Sequence, residues 1–172
     1  MKRRISILVI LTMGLLTFLG ISSTGAEIEV GAAAPALKVS DHEGKEVDLS
    51  AELATGYTLV FFYPKASTPG CTKQACSLRD AFADLTAKGI KVFGVSRDTV
   101  AKQKAFVTEQ KLPYRLLADP EGKVTGAFGV PTLGNMAKRQ AYLFKDGKLV
   151  WRDLSASTDQ QAAEVLEAVG KL

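Results

Sequence analysis

The sequence predicts one α/β domain built on a mixed central β-sheet flanked by helices. Two runs rich in β-branched and aromatic residues, 57–62 (YTLVFF) and 90–96 (IKVFGVS), read as buried strands, and each precedes residues at helical spacing. A hairpin signal and one more amphipathic helix close the chain. No internal repeat, low-complexity tract or interdomain linker interrupts residues 27–172.

Residues 1–26 stand apart from this domain. Lys2, Arg3 and Arg4 precede an uncharged run, 5–21, and then Ser22-Ser23-Thr24-Gly25-Ala26, the three-part layout of a secretory signal peptide. The run is slightly long for a signal core and slightly short for a membrane span, so an uncleaved N-terminal anchor is the alternative. Thr12, Gly14, Thr17 and Gly20 interrupt it and favour cleavage. No cysteine stands near its end, which excludes a lipid-anchored lipoprotein. The expected destination is therefore a bacterial periplasm or the medium. Cleavage after Ala26 removes three of the 22 basic residues and none of the 18 acidic ones, leaving 19 against 18. With no basic run in that remainder, no nucleic-acid partner is indicated.

Residues 37–40 and 46–49 alternate around the polar turn Asp41-His42-Glu43-Gly44-Lys45, which predicts an N-terminal β-hairpin. His42 lies at its tip and reads as a solvated side chain. It is the only histidine, so a conventional hydrolase triad would have to use this loop residue. After strand 57–62, Pro64 ends the run. Ser67 and Thr68 suit a helix cap, Pro69 a first turn, and Ala75, Leu78, Phe82 and Leu85 then recur at helical spacing up to Gly89. Strand 90–96 leads to Asp98 or Thr99 as cap of a helix with Val100, Phe106 and Val107 among its buried residues. Pro113 closes it, 114–117 reads as a strand, Asp119-Pro120-Glu121-Gly122 as a turn and 123–128 as a short helix. Gly122-Lys123-Val124-Thr125 is no phosphate loop, because position 117 holds leucine where that motif needs glycine. Residues 141–145 and 149–152 flank Asp146-Gly147 as a hairpin. Thr158 is the expected cap of a final helix with Ala162, Val165, Leu166 and Val169 on its apolar face.

The chemistry is concentrated in 60–76, VFFYPKASTPGCTKQAC, which holds the only two cysteines. Cys71 falls in the first turn of a helix, where unpaired N–H groups and the positive end of the dipole favour an anion. A thiolate is such an anion, and it is the form that attacks electrophiles. Cys76 lies five positions on. On one helix their Cα atoms are about 8 to 9 Å apart. Disulfides rarely tolerate more than about 7 Å, so the pair bonds only if the first turns unwind. The alternative is a static bridge in a non-helical loop. Two cysteines and a distant His42 do not supply the four ligands of a structural zinc site.

The segment Tyr63-Pro64-Lys65-Ala66-Ser67-Thr68-Pro69-Gly70-Cys71-Thr72, with Cys76, resembles the active-site loop of peroxiredoxins (the AhpC/TSA superfamily), and most of all the bacterioferritin-comigratory or Q-type subfamily. The likeness extends through Leu78-Arg79-Asp80, Gly94-Val95-Ser96-Arg97-Asp98, Leu117-Ala118-Asp119 and Phe128-Gly129-Val130 to Arg139-Gln140-Ala141-Tyr142-Leu143, covering residues 31–170. It implies a thioredoxin-like fold. It also implies a thiol-dependent peroxidase acting on hydrogen peroxide and organic hydroperoxides.

In that resemblance Cys71 is the peroxidatic cysteine, which becomes a sulfenic acid, and Cys76 the resolving one, which condenses with it to an intramolecular disulfide. Thr68 places its hydroxyl at the peroxide oxygens, Pro64 shields the pocket, and Arg139 matches the active-site arginine. Arg79, Arg97 and Arg115 have weaker claims. Thioredoxin or a thioredoxin-like protein is the implied reductant, no organic cofactor or metal is implied, and the intramolecular pair is compatible with a monomer. Two rivals remain: an exported thioredoxin-like thiol-disulfide oxidoreductase, and a binding domain whose cysteines form a structural bridge. Against the first, the chain has C-x4-C rather than C-x-x-C, and Arg139-Gln140 where a proline would precede the hairpin strand.

Overall fold

Strand β3 (Tyr57–Phe62) is the centre of the molecule, because its alternating side chains are buried on both sides of the sheet. The computed structural model describes residues 26–172. The expected signal segment, Ala26 excepted, lies outside the described residues. β3 pairs in parallel with β4 (Ile90–Ser96), which pairs in parallel with β5 (Arg115–Ala118). On its other side β3 is antiparallel to β8 (Gln140–Lys145), and β8 to β9 (Lys148–Asp153). The N-terminal hairpin, β1 (Lys38–Asp41) and β2 (Glu46–Asp48), adds to the far edge through an antiparallel β1–β5 pairing. The order is β2-β1-β5-β4-β3-β8-β9, a mixed seven-stranded sheet.

Leu59, Phe61 and Tyr63 point to one face. There they meet the helices α2 (Pro69–Asp80), α3 (Phe82–Ala87), α4 (Val100–Gln110) and α6 (Gln161–Lys171) through Ala75, Leu78, Leu85, Phe106 and Val165. Val60 and Phe62 point to the other, toward α1 (Leu49–Leu53) and α5 (Lys123–Ala127) through Leu49, Leu53, Val124 and the adjoining Phe128. On that second face Phe62, Phe128, Tyr142 and Phe144 pack edge to face, with ring centroids 5.1 to 5.8 Å apart. Gly94 sits in β4 where no side chain fits: a Cβ there would lie 2.7 Å from Cζ of Phe61 and 2.6 Å from Cδ2 of Leu116.

Several local expectations need correction. The helix expected to run unbroken to Gly89 is interrupted at Ala81 (φ −91°, ψ 6°), giving α2 and α3. Leu49 opens helix α1 instead of ending a strand, because the Asp48 carboxylate accepts the Ala51 N–H and caps it. Thr99 is at the N-cap of α4, but its side chain makes no cap bond, and Asp98 is turned to the active-site loop. Thr158 does not cap α6. The helix begins after Gln160, and the Ser157 hydroxyl accepts the N–H groups of Asp159 and Gln160. His42 is half-buried, and its Nδ1 accepts the Leu116 N–H at 3.3 Å. A small hairpin, β6 (Thr132–Leu133) with β7 (Met136–Ala137), precedes Arg139.

Candidate active site

The loop from β3 to α2 is built by buried hydrogen bonds. Tyr63 continues the sheet by donating its N–H to Val95 O, and the Ala66 N–H donates to Asp98 Oδ2 at 2.7 Å. The Ser96 hydroxyl donates to the same carboxylate oxygen. Gln103 accepts the Tyr63 hydroxyl and donates to Ser96 Oγ and Leu117 O. Burial drives the Tyr63 phenol far above its ordinary value, so it remains a neutral donor. Ser67 takes a left-handed backbone (φ 57°), which turns the chain into α2.

Thr68 occupies the N-cap position of α2 with Pro69 directly after it. Its hydroxyl, expected to cap, instead donates to Lys65 O at 2.9 Å. The N–H groups of Gly70 and Cys71 are therefore left uncapped by Thr68, and the first ladder bond runs from Thr72 N to Thr68 O. Cys71 is the third residue of α2 and only 2% exposed. A guanidinium nitrogen of Arg139, Nη2, donates toward its sulfur at 3.5 Å. The sulfur thus lies beside a fixed positive charge at the N-terminal end of α2.

Arg139 is held by a residue absent from the sequence reading. Its Nη1 donates to the Gln74 amide oxygen, and Gln74 Nε2 donates to Gln161 Oε1 at 2.7 Å. Both glutamines are fully buried. Gln74 follows Cys71 by three positions, on the same helical face as Ala75 and Leu78. A polar residue inside an apolar stripe was the available signal.

Pro64 lines an apolar hollow of about 330 Å³ with Pro131, Thr132, Leu133, Met136 and Ala137, on the turn that precedes Arg139. The other arginines are engaged elsewhere. Arg97 donates to Gly134 O and Pro120 O, while Arg115 pairs with Glu52 at 2.5 Å and lies over the Phe93 ring. Arg79 donates to Gln110 O at 2.8 Å and pairs with Asp80. Cys76 is half-buried on α2, its thiol 3.5 Å from Gln110 Oε1, and both cysteines are free thiols. The structure thus groups Thr68, Cys71 and Arg139 around the start of α2 and puts Cys76 more than a turn along the same helix.

The AhpC/TSA family model matches residues 30–152. The chain is 40% identical over 124 residues to the chloroplastic peroxiredoxin Q of Suaeda salsa, covering 71% of this chain and 58% of that protein. It therefore spans a little over half the length of that plant relative. Among solved structures, peroxidoxin BcpB of Mycobacterium tuberculosis superposes with TM-score 0.78 at 32% identity, over 85% of this chain and 99% of that one. The bacterioferritin comigratory protein of Xanthomonas campestris gives 0.75 at 26% identity, over 83% and 98%. Family match, sequence identity and superposition agree: the chain belongs to the AhpC/TSA family, on its peroxiredoxin Q and bacterioferritin-comigratory branch.

Proposed function

We propose that this chain is a thiol-dependent peroxidase in which Cys71 is oxidised by hydrogen peroxide or an organic hydroperoxide. The observation that carries this reading is a nearly buried sulfur in the first turn of α2 with a guanidinium nitrogen 3.5 Å away. The Xanthomonas relative has alkyl peroxide reduction activity, which agrees with the reading.

The Cys71 thiolate attacks one peroxide oxygen in line with the O–O bond. A sulfur–oxygen bond forms, the O–O bond breaks, and the departing oxygen takes a proton to leave as water or an alcohol. Thr68 has committed its proton to Lys65 O, so it offers lone pairs that accept the hydroperoxide O–H and orient it. Arg139 and the uncapped N–H groups of α2 stabilise the charge on the departing oxygen. Pro64 excludes water. Cys76 then attacks the sulfenic sulfur, water is lost and a disulfide forms. This step requires α2 to unwind, since about 8 to 9 Å of helix separates the two Cα atoms. Thioredoxin or a thioredoxin-like dithiol returns both sulfurs to thiols, and the reaction needs only one copy of the chain. A protein-disulfide reductase is less well supported, because Cys71, only 2% exposed as a residue, is closed to a bulky disulfide.

Rapid mixing of the reduced protein with hydrogen peroxide, read by intact mass, tests this. Fast oxidation that ends in a Cys71–Cys76 disulfide and is lost in Cys71→Ser is expected. Oxidation no faster than that of a free cysteine overturns the reading. Cys76→Ser retains the fast first step but drives Cys71 to sulfinic acid, and unchanged multi-turnover activity with thioredoxin in that variant removes Cys76 from the cycle. We also infer that residues 1–26 direct export. Expression of the full chain in a bacterium should yield a periplasmic or secreted product beginning at Glu27, and retention of the intact chain in the cytoplasm overturns this.

A further inference from the structure

Disulfide formation requires the middle of α2 to leave its place, and three polar contacts hold that stretch down. The Tyr114 hydroxyl, immediately before β5, donates to Ala75 O at 2.7 Å. The Cys76 thiol faces Gln110 Oε1 at 3.5 Å, and Arg79 Nη1 donates to Gln110 O at 2.8 Å. Tyr114 is the buried member of this set. Its ring is 6.0 Å from both Phe61, edge-on, and Phe82, so the phenol is fixed from the core side. Its bond to Ala75 O lies between the two cysteines, on the turn that must open. Ala75 O is also within reach of the Arg79 N–H four residues on, so the helix keeps its own ladder if the phenol is removed.

We propose that Tyr114 is a positioning residue that latches α2 shut and so sets how fast Cys76 reaches Cys71. This rests on the peroxidase reading above. The balanced step it controls is Cys71–SOH plus Cys76–SH giving the disulfide and water. While the latch is closed, the sulfenic acid remains open to a second peroxide, which carries it to sulfinic acid. The latch therefore trades rapid resolution for a helix that holds Cys71 beside Arg139. Burial drives the phenol well above its ordinary value, so the donor is present throughout the neutral range.

Tyr114→Phe removes one hydrogen bond and keeps the ring. A single net hydrogen bond corresponds to about a 2- to 10-fold change in an equilibrium. In quenched-flow mass analysis the first oxidation of Cys71 should keep its rate, and the disulfide should form faster by that factor. The peroxide concentration giving half sulfinic acid should rise by the same factor.

A second arm treats the reduced protein with diamide, which takes two electrons and two protons from the dithiol and becomes the hydrazine. It reads unwinding without peroxide. Hydrogen exchange of the α2 amides, against those of β3, checks that any opening is local. Faster disulfide formation in both arms, with faster exchange in α2 alone, supports the latch. An unchanged or slower diamide rate, or unchanged α2 exchange, overturns it. If Cys71 fails to outpace a free cysteine toward peroxide, the peroxidase reading falls, while the diamide and exchange arms still decide the latch.

Discussion

The two faces of the central sheet are fed by one strand, yet they are built on different terms. On the face carrying α2, α4 and α6, three glutamines, Gln74, Gln103 and Gln161, are wholly buried among aliphatic and aromatic side chains. On the face carrying α1 and α5, four aromatic rings close on one another edge to face. A buried amide stabilises only if its partners are in place, whereas the aromatic cluster stabilises mainly by area and contact, with one buried polar link from the Tyr142 hydroxyl to Gln140. The first face thus positions Arg139 and the loop before α2, and the second holds the sheet together. Stability and chemistry should be separable by mutating one face at a time.

The sharpest break is on the aromatic face. Phe128→Ala should lower unfolding free energy by about 3 to 5 kcal/mol, as for other fully buried rings. Denaturant melts should show this while the peroxide oxidation rate of the folded fraction stays within twofold. A matching loss of rate would mean that the faces are not independent. On the other face, Arg139→Met orphans the buried Gln74 Oε1, so it should lower stability by about 1 to 3 kcal/mol, and it should slow Cys71 oxidation by about 100-fold, the scale of losing one charge-stabilising donor. Stopped-flow peroxide kinetics read it directly. Gln74→Leu sits between these extremes. It frees the Arg139 guanidinium and orphans Gln161 Oε1, so a loss of about 1 to 3 kcal/mol in stability should accompany roughly a tenfold slower oxidation. If it affects stability only, Gln74 is packing and nothing more.

Much of this arrangement was legible in the sequence. The strands at 57–62 and 90–96, the final hairpin and the helix after it followed from residue type and period, and so did Cys71 in a first helical turn. What was not legible depended on partners far along the chain. Gln74 was not singled out, because the partners that satisfy it, Arg139 and Gln161, lie 65 and 87 residues away and meet it only in the fold. The break at Ala81 was invisible because Ala75, Leu78, Phe82 and Leu85 keep helical spacing across it. Thr68 was expected to cap because its residue type suits the position, but the turn at Ser67 brings Lys65 O within closer use. The β6–β7 hairpin has two residues a side, too short for any periodicity to show.

The interruption at Ala81 has a mechanical consequence. Helix formation is cooperative, so unwinding one end of a long continuous helix tends to spread along it. Here the helix is interrupted at Ala81, and the fully buried Leu85 anchors α3 to the sheet as a separate piece. In the cycle proposed above the joint would act as a firebreak: disulfide formation at residues 71–76 would dissolve one short rod and spare its neighbour, so the scaffold would return from each turnover with its footing intact.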